Sequence, residues 1–212
     1  MMRWAWCGFG MLFLSAAGWA ADAGLITSLS GRVLLQEERA ATELKPFVRV
    51  QTGDRLTLEG ASHLHVVYLD SGREEVWQGA GQLEIGSGAS RVIKGSLRPD
   101  ARMLPPPVVR QIAKTPSADG STRSEKGRMR SMPTVGTLES LERHYAELRR
   151  QAEADDRNPE LYLLAGYFEL REFERVEALL KRMSEKAPGD MEVRVLRNLY
   201  ARAINNAKTA VK

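Results

Sequence analysis

From residue 45 to residue 86, in KPFVRVQTGDRLTLEGASHLHVVYLDSGREEVWQGAGQLEIG, apolar side chains recur at every second position in one short segment after another. Val48 and Val50, Leu56 and Leu58, Leu64, Val66 and Tyr68, and Leu83 and Ile85 keep this period, which is that of strands with one face in a core and the other in solvent. The segments break at Gly53-Asp54, Gly60-Ala61, Ser71-Gly72 and from Gly79 to Gly81. Glycine reaches positive φ without strain, and Asp or Ser bonds its own backbone, so each break reads as a turn. Strands are also expected at 24–35 and from Phe47 onward, with a polar hairpin over 36–43 between them. Trp77 falls on a strand expected to pair with the one around Val66.

The same stretch carries an ordered set of motifs. Gly31-Arg32-Val33 opens the first strand, and Gly53-Asp54 is followed two residues on by Leu56. Then come Glu59-Gly60-Ala61 and His65-Val66-Val67-Tyr68-Leu69-Asp70-Ser71-Gly72. In this order the set resembles the FecR domain, a small all-β module of bacterial envelope proteins, over residues 26–92. The family usually has Asp and Gly adjacent where Ser71 intervenes here, and often a Thr-Gly pair where Leu58-Glu59-Gly60 stands. The resemblance implies a domain outside the cytoplasmic membrane. In the family it passes an outer-membrane signal to a sigma factor through a membrane span and a cytoplasmic tail. Neither is read in this sequence, so only the extracytoplasmic binding role is expected to carry over.

Arg3, the apolar run 9–17 and the small residues of 16–23 have the order of a secretory signal. Residues 1–23 are read as a signal peptide cleaved between Ala20 and Ala23, which makes the expected location periplasmic. The apolar run is shorter than the roughly 20 residues a span needs, which argues against an uncleaved anchor. Cys7, the one cysteine, precedes most of that run rather than marking the cleavage point, so no lipid anchor is expected. Its removal leaves no disulfide, thiol nucleophile or thiolate metal site.

The β domain is expected to span 24–97 and to give way to a Pro-rich basic linker over 98–136. Pro99, Pro105 to Pro107 and Pro116 lie there among Ser, Gly and basic residues. Residues 108–113 carry valines and an isoleucine that can pack back on the β domain, whereas 115–132 reads as disordered. Between Arg98 and Arg130 eight Lys or Arg stand against three Asp or Glu, an excess larger than the +4 of the whole chain. The basic pI is therefore assigned to this stretch, where a possible partner is an anionic cell-envelope surface. Nucleic acid is not expected as a partner, because no nucleic-acid-binding motif accompanies the charge.

From Thr137 the period becomes helical. Leu138, Leu141, Tyr145 and Leu148 recur at three and four; so do Leu161, Leu164, Ala165 and Phe168, then Phe173, Val176, Leu180 and Met183, and finally Val195, Leu196, Leu199 and Ala203. Asn158-Pro159 is read as a cap followed by a proline at the first helical position, and Pro188-Gly189-Asp190 as a stop and a new cap. The segment LRRQAEADDRNPEL at 148–161 matches LKRMSEKAPGDMEV at 180–193. An internal match of helix pairs at this period suggests repeats. With Leu164-Ala165, Phe168, Phe173, Ala178, Leu180 and Pro188, the region 137–208 resembles a degenerate tetratricopeptide repeat, although the turn at Arg171-Glu172 lacks the usual glycine. A plain four-helix bundle shows the same stripes; the internal match favours the repeat. The expected class is thus a mainly β FecR-like domain followed by TPR-like α-helices.

No catalytic constellation emerges. His63 and His65, two apart on a strand, share a face and could chelate a metal with Asp70 or Glu74, but no third ligand follows from spacing. The pairs Glu74-Glu75 and Asp155-Asp156 are read as solvated surface. The chain is therefore expected to be non-enzymatic, without cofactor or metal. It is read as an adaptor or sensor binding another envelope protein, such as a membrane sensor or receptor. The runner-up is a glycan-binding envelope protein using the β domain and the basic linker. Tyr162, Tyr167, Arg194, Arg197, Asn198 and Tyr200 on two helices, with Trp77 on the sheet, are the candidate partner contacts, since Tyr, Trp and Arg most often anchor interfaces.

Overall fold

The computed structural model of the chain describes residues 22–37, 40–118 and 136–210. The signal-peptide reading over 1–21 and most of the disordered stretch, 119–132, lie outside them. Eight strands precede five helices among the described residues, an N-terminal antiparallel sheet followed by C-terminal helices. The strands are β1 (Asp22–Gln36), β2 (Ala41–Glu43), β3 (Arg49–Gln51), β4 (Arg55–Tyr68), β5 (Arg73–Gln78), β6 (Gly81–Ile85), β7 (Ser90–Lys94) and β8 (Asp100–Met103). The helices are α1 (Pro106–Ile112), α2 (Leu138–Gln151), α3 (Asn158–Glu169), α4 (Phe173–Lys186) and α5 (Met191–Thr209).

The long pair β1 and β4 is the spine. Along one half, β4 pairs with β5 through His63 to Val67; along the other it pairs with β6 through Arg55 to Leu58. The expected turn at Gly60-Ala61 is instead an irregularity inside β4, where Gly60 takes φ +59 opposite Gly31 at φ +76 and the β1–β4 register shifts between Ser30 and Arg32. Such bulges bend a strand, so one continuous pair serves two halves of a sheet that fold toward each other. Val50, Leu56, Leu58, Leu64, Val66, Tyr68, Leu83 and Ile85, the residues of the two-residue period, close one core with Ile26, Val33 and Trp77.

The other face of the β4–β5 half is also covered. Cross-strand partners share a face, and the row Leu25, Val67, Glu74, Arg102 runs across β1, β4, β5 and β8. Leu25 belongs to a second core built mainly of helix residues, including Leu141, Leu161, Leu164, Val176, Leu180, Leu196 and Tyr200. This is why Val66, Val67 and Tyr68 are all fully buried although they alternate in direction.

Residues 98–118 are not a linker. Pairing of β8 with β5 extends the sheet, and α1 buries Val108, Val109 and Ile112. Val108 and Ile112 join the helical core together with Phe47 and Leu25. Phe47 is held at φ +64, a conformation that costs a bulky residue about 1–3 kcal/mol and persists only where its surroundings impose it. Here its N–H donates to the Ile26 carbonyl at 2.7 Å, its own carbonyl accepts from the Ala118 N–H at 2.8 Å, and its ring is enclosed. Arg49 reaches the Ala113 carbonyl at 2.6 Å. The basic excess of this stretch is partly spent internally: Arg102 pairs with Glu74 and Asp156, and Lys114 with Glu169.

The four helical stripes fold as α2 to α5. The two matching segments each span the end of one helix and the start of the next, α2 into α3 and α4 into α5. Asp190 caps α5 as expected, accepting from the Glu192 and Val193 N–H groups. Asn158 does not cap α3; the Asp156 carboxylate takes its N–H, which frees the Asn158 side chain for the sheet. At the end of α3 the Arg171 N–H donates to Phe168 and the Glu172 N–H to Tyr167, the paired bonds of a helix stop that favours glycine, with Arg171 at φ +62. Arg171→Gly is expected to raise stability by about 0.5–1 kcal/mol by relieving that conformation, read as a higher urea midpoint with an unchanged slope.

Candidate partner-binding site

Of the candidate contacts, four are removed from any partner by burial. Trp77 is 1 % exposed in the strand core, and Tyr162, Tyr167 and Tyr200 are 6 %, 5 % and 0 % exposed in the helical core. The Trp77 indole N–H donates to Glu75 at 3.1 Å. Tyr167 donates to Glu142 at 2.8 Å, and Tyr200 packs edge-on against Phe168 at 5.8 Å between centroids. Burial pushes the Tyr200 hydroxyl well above the ordinary tyrosine range, with Thr115 opposing the shift. The face of α3 and α5 expected to receive a partner is thus occupied from within: α1 packs on α3, and Thr115 sits buried beside Tyr200.

Two adjacent carboxylates read as surface are instead interior. Glu74 and Glu75 are 2 % and 1 % exposed and point to opposite faces. Glu75 accepts from Arg73 at 2.7 Å, from Trp77 and from the Ser90 N–H at 3.1 Å. Nearby, the Tyr68 hydroxyl and the Ser90 hydroxyl lie 2.6 Å apart, and burial pushes the Tyr68 hydroxyl up to about 12. Glu74 accepts from Arg102 on β8 and from the Asn158 amide on α3 at 2.9 Å. These networks satisfy buried charge, and sequence spacing gave no signal of them, because the cover comes from other elements, α3 over Glu74 and β7 beside Glu75.

His63 is exposed and His65 half-buried on the same strand. Among the described residues no group of three His, Cys, Asp or Glu side chains is placed to hold a metal ion.

Arg194, Arg197 and Asn198 are exposed on α5. They continue through Ala201, Asn205 and Lys208 as one face of that helix, with Arg202 at its flank, all exposed. No carboxylate lies within 4.0 Å of Arg194, Arg197 or Arg202 among the described residues. The only acidic residue of α5, Glu192, faces away, accepting from the Ser28 hydroxyl at 2.6 Å and the Leu29 N–H at 3.0 Å on β1. Between α4 and α5 an open groove of about 520 Å³ is lined by Glu177, Leu180, Lys181, Ser184 and Glu185 on one wall and by Arg197, Asn198, Ala201 and Ile204 on the other. Arg197 and Asn198 are therefore the two candidate residues that the fold brings into one cavity.

The start of α5 is fixed by Arg157, which bonds Asp190 and reaches Glu192 at 3.1 Å. The Arg157 guanidinium holds the Asp190 carboxyl below its ordinary value of 3.8. A depressed carboxyl contributes stability that is present above pH 3.8 and lost as pH falls through the lower folded value. Asp190→Ala should therefore cost about 0.5–2 kcal/mol at neutral pH, the range for loss of an N-cap. The difference from the parent, followed by urea unfolding, should close as pH is lowered below 3.8.

No family model, curated protein or solved structure matches the chain.

Proposed function

We propose that this chain is an exported, non-catalytic adaptor that binds another protein of the cell envelope, with a FecR-like β module joined to tetratricopeptide-like helices. The observation that carries this reading is the exposed α4–α5 groove beside a row of arginines that no carboxylate of the described residues neutralises. Arginine, with tyrosine and tryptophan, is one of the side chains that most often anchor interfaces. The repeat match supports the helical assignment, since its two copies fall at equivalent helix junctions. No helix of the described residues is long and apolar enough to cross a membrane.

The described strands give the glycan reading no aromatic platform. Sugar recognition favours an exposed aromatic platform, and Phe47, Tyr68 and Trp77, the aromatics of the described strand region, are all buried. Export fits the start of β1: Asp22 pairs with Arg49 at 3.5 Å and Ala23 is buried, so cleavage on the N-terminal side of Asp22 preserves the strand.

Crosslinking in intact cells on a tagged chain tests the adaptor. Recovery of one envelope protein, together with an N-terminus at Ala21 or Asp22 on the exported chain, is the expected result. Recovery of glycan strands alone, or stoichiometric zinc lost in His63→Ala, would refute the non-catalytic protein-binding reading.

A further inference from the structure

The helices stack so that each touches the two before it. Helix α4 packs on α3 and also reaches α2, where Arg175 pairs with Glu142 at 2.8 Å. Helix α5 packs on α4 and reaches α3, where Tyr200 meets Phe168, while Arg157 before α3 holds Asp190 and Glu192. By the same rule the next helix of the stack would lie over α4 and α5, and that position is the open groove. Its lining follows helical spacing on both walls: 177, 180, 181, 184 and 185 on α4, and 197, 198, 201 and 204 on α5. The stretch 177–185 is about two turns, roughly 12 Å.

The chemistry of the groove defines the occupant. The floor is apolar: Ala201 is exposed there, above Leu180 and Ile204, which are 4 % and 2 % exposed and belong to the helical core. Arg197 rims the α5 wall and Arg194 stands one turn before it, while Arg202 lies at the flank of the same helix. The α4 wall is mixed, with Lys181 and Glu185 only loosely paired at 3.9 Å and both exposed. Helix-to-helix steps already in the fold are closed by guanidinium–carboxylate pairs, Arg175 to Glu142 and Arg157 to Glu192. At the open step the α5 edge supplies guanidinium groups without a carboxylate of its own, while Glu177 and Glu185 stand across the groove on α4, so an acidic edge of an incoming helix is received on the α5 side. A membrane surface fits less well, because the exposed face of α5 from 194 to 208 offers Asn198, Ala201 and Asn205 between its cations and no large apolar side chain to insert.

We propose that the α4–α5 groove docks an acidic amphipathic helix of the partner protein, received as the next member of the helical stack. This rests on the adaptor reading and specifies its ligand. Apolar side chains of the incoming helix meet the floor, and a row of carboxylates along one edge meets Arg194 and Arg197, with Arg202 adding positive charge at the flank.

The test uses the exported chain and a designed, fluorescently labelled helical peptide with leucines on one face and glutamates along one edge. Its controls are a lysine version, a scrambled version, and vesicles of phosphatidylglycerol with phosphatidylcholine. Fluorescence anisotropy should show saturable binding of the glutamate peptide alone. Affinity should fall roughly tenfold or more in the combined variant Arg194→Glu, Arg197→Glu, Arg202→Glu. It should fall similarly in Ala201→Trp, which fills the floor without touching charge. All three arginines and Ala201 are exposed, and an unchanged helical ellipticity verifies that the variants are folded. Equal binding of the lysine or scrambled peptide, undiminished binding to the variants, or binding to vesicles in place of the peptide would overturn the proposal. So would a dimer in sedimentation that the triple variant disperses, since a second copy would then own the groove. Crosslinking with the triple variant separates the two claims: an envelope partner still recovered, with no peptide binding, removes the groove and leaves the adaptor standing.

Discussion

A buried carboxylate cannot be left alone, and Glu74 is where that constraint joins the two halves of this protein. It lies on β5, on the face of the sheet that the helices cover, and it is satisfied by one donor from the edge strand, Arg102, and one from a helix start, Asn158. Arg102 extends to Asp156, and Asp156 in turn takes the Asn158 N–H, so strand edge, helix cap and buried charge form one connected set. A second tie lies at Glu192, which leaves α5 to bond Ser28 and Leu29 at the irregular part of β1. Apolar burial supplies the drive, with Leu25 and Phe47 set among the helix residues. The polar ties fix where the helices sit.

This joining decides which surfaces are free. Because α1 and the residues after it pack against α3 and Tyr200, the tyrosines of α3 and α5 hold the core together and cannot greet a partner. The outer face of α4 and α5 remains, and it is cationic along α5 for a local reason: the one acidic residue of that helix is committed to β1. Structure and binding surface are thus linked through a single side chain. Glu192 anchors α5 to the sheet and leaves its remaining charge unbalanced.

The strand core was legible because its pattern is local. Alternation from Val48 to Ile85 named most of the residues that close it, and glycine positions named most of its turns. Gly60 misled, since a positive φ serves a bulge as well as a turn and only the partner strand decides between them. The helices were legible by their three-and-four spacing, and Asp190 by its place after Pro188-Gly189. What the sequence could not disclose was long-range cover. Glu74 and Glu75 look like surface until α3 and β7 are laid over them; the valines and isoleucine of 108–113 were legible as residues that pack back, but not the helices that share their core. Tyr162, Tyr167 and Tyr200 failed as site residues for the same reason: an anchor-type residue on a helix reads alike whether the face meets a partner or its own chain.

That sheet and helices form one folding unit is the central claim, and the chain carries its own probes for it. From residue 22 onward Trp77 is the sole tryptophan, so its fluorescence reports the strand core, while ellipticity at the helical band reports α2 to α5. Urea unfolding followed by both signals should give one coincident transition. Glu74→Ala should shift both midpoints down together, by about 1–3 kcal/mol for the groups it leaves unsatisfied. Helical ellipticity that outlasts the tryptophan transition, or a Glu74→Ala shift confined to one signal, would mean that the helices and the sheet fold separately and that the joining interface does not hold the protein together.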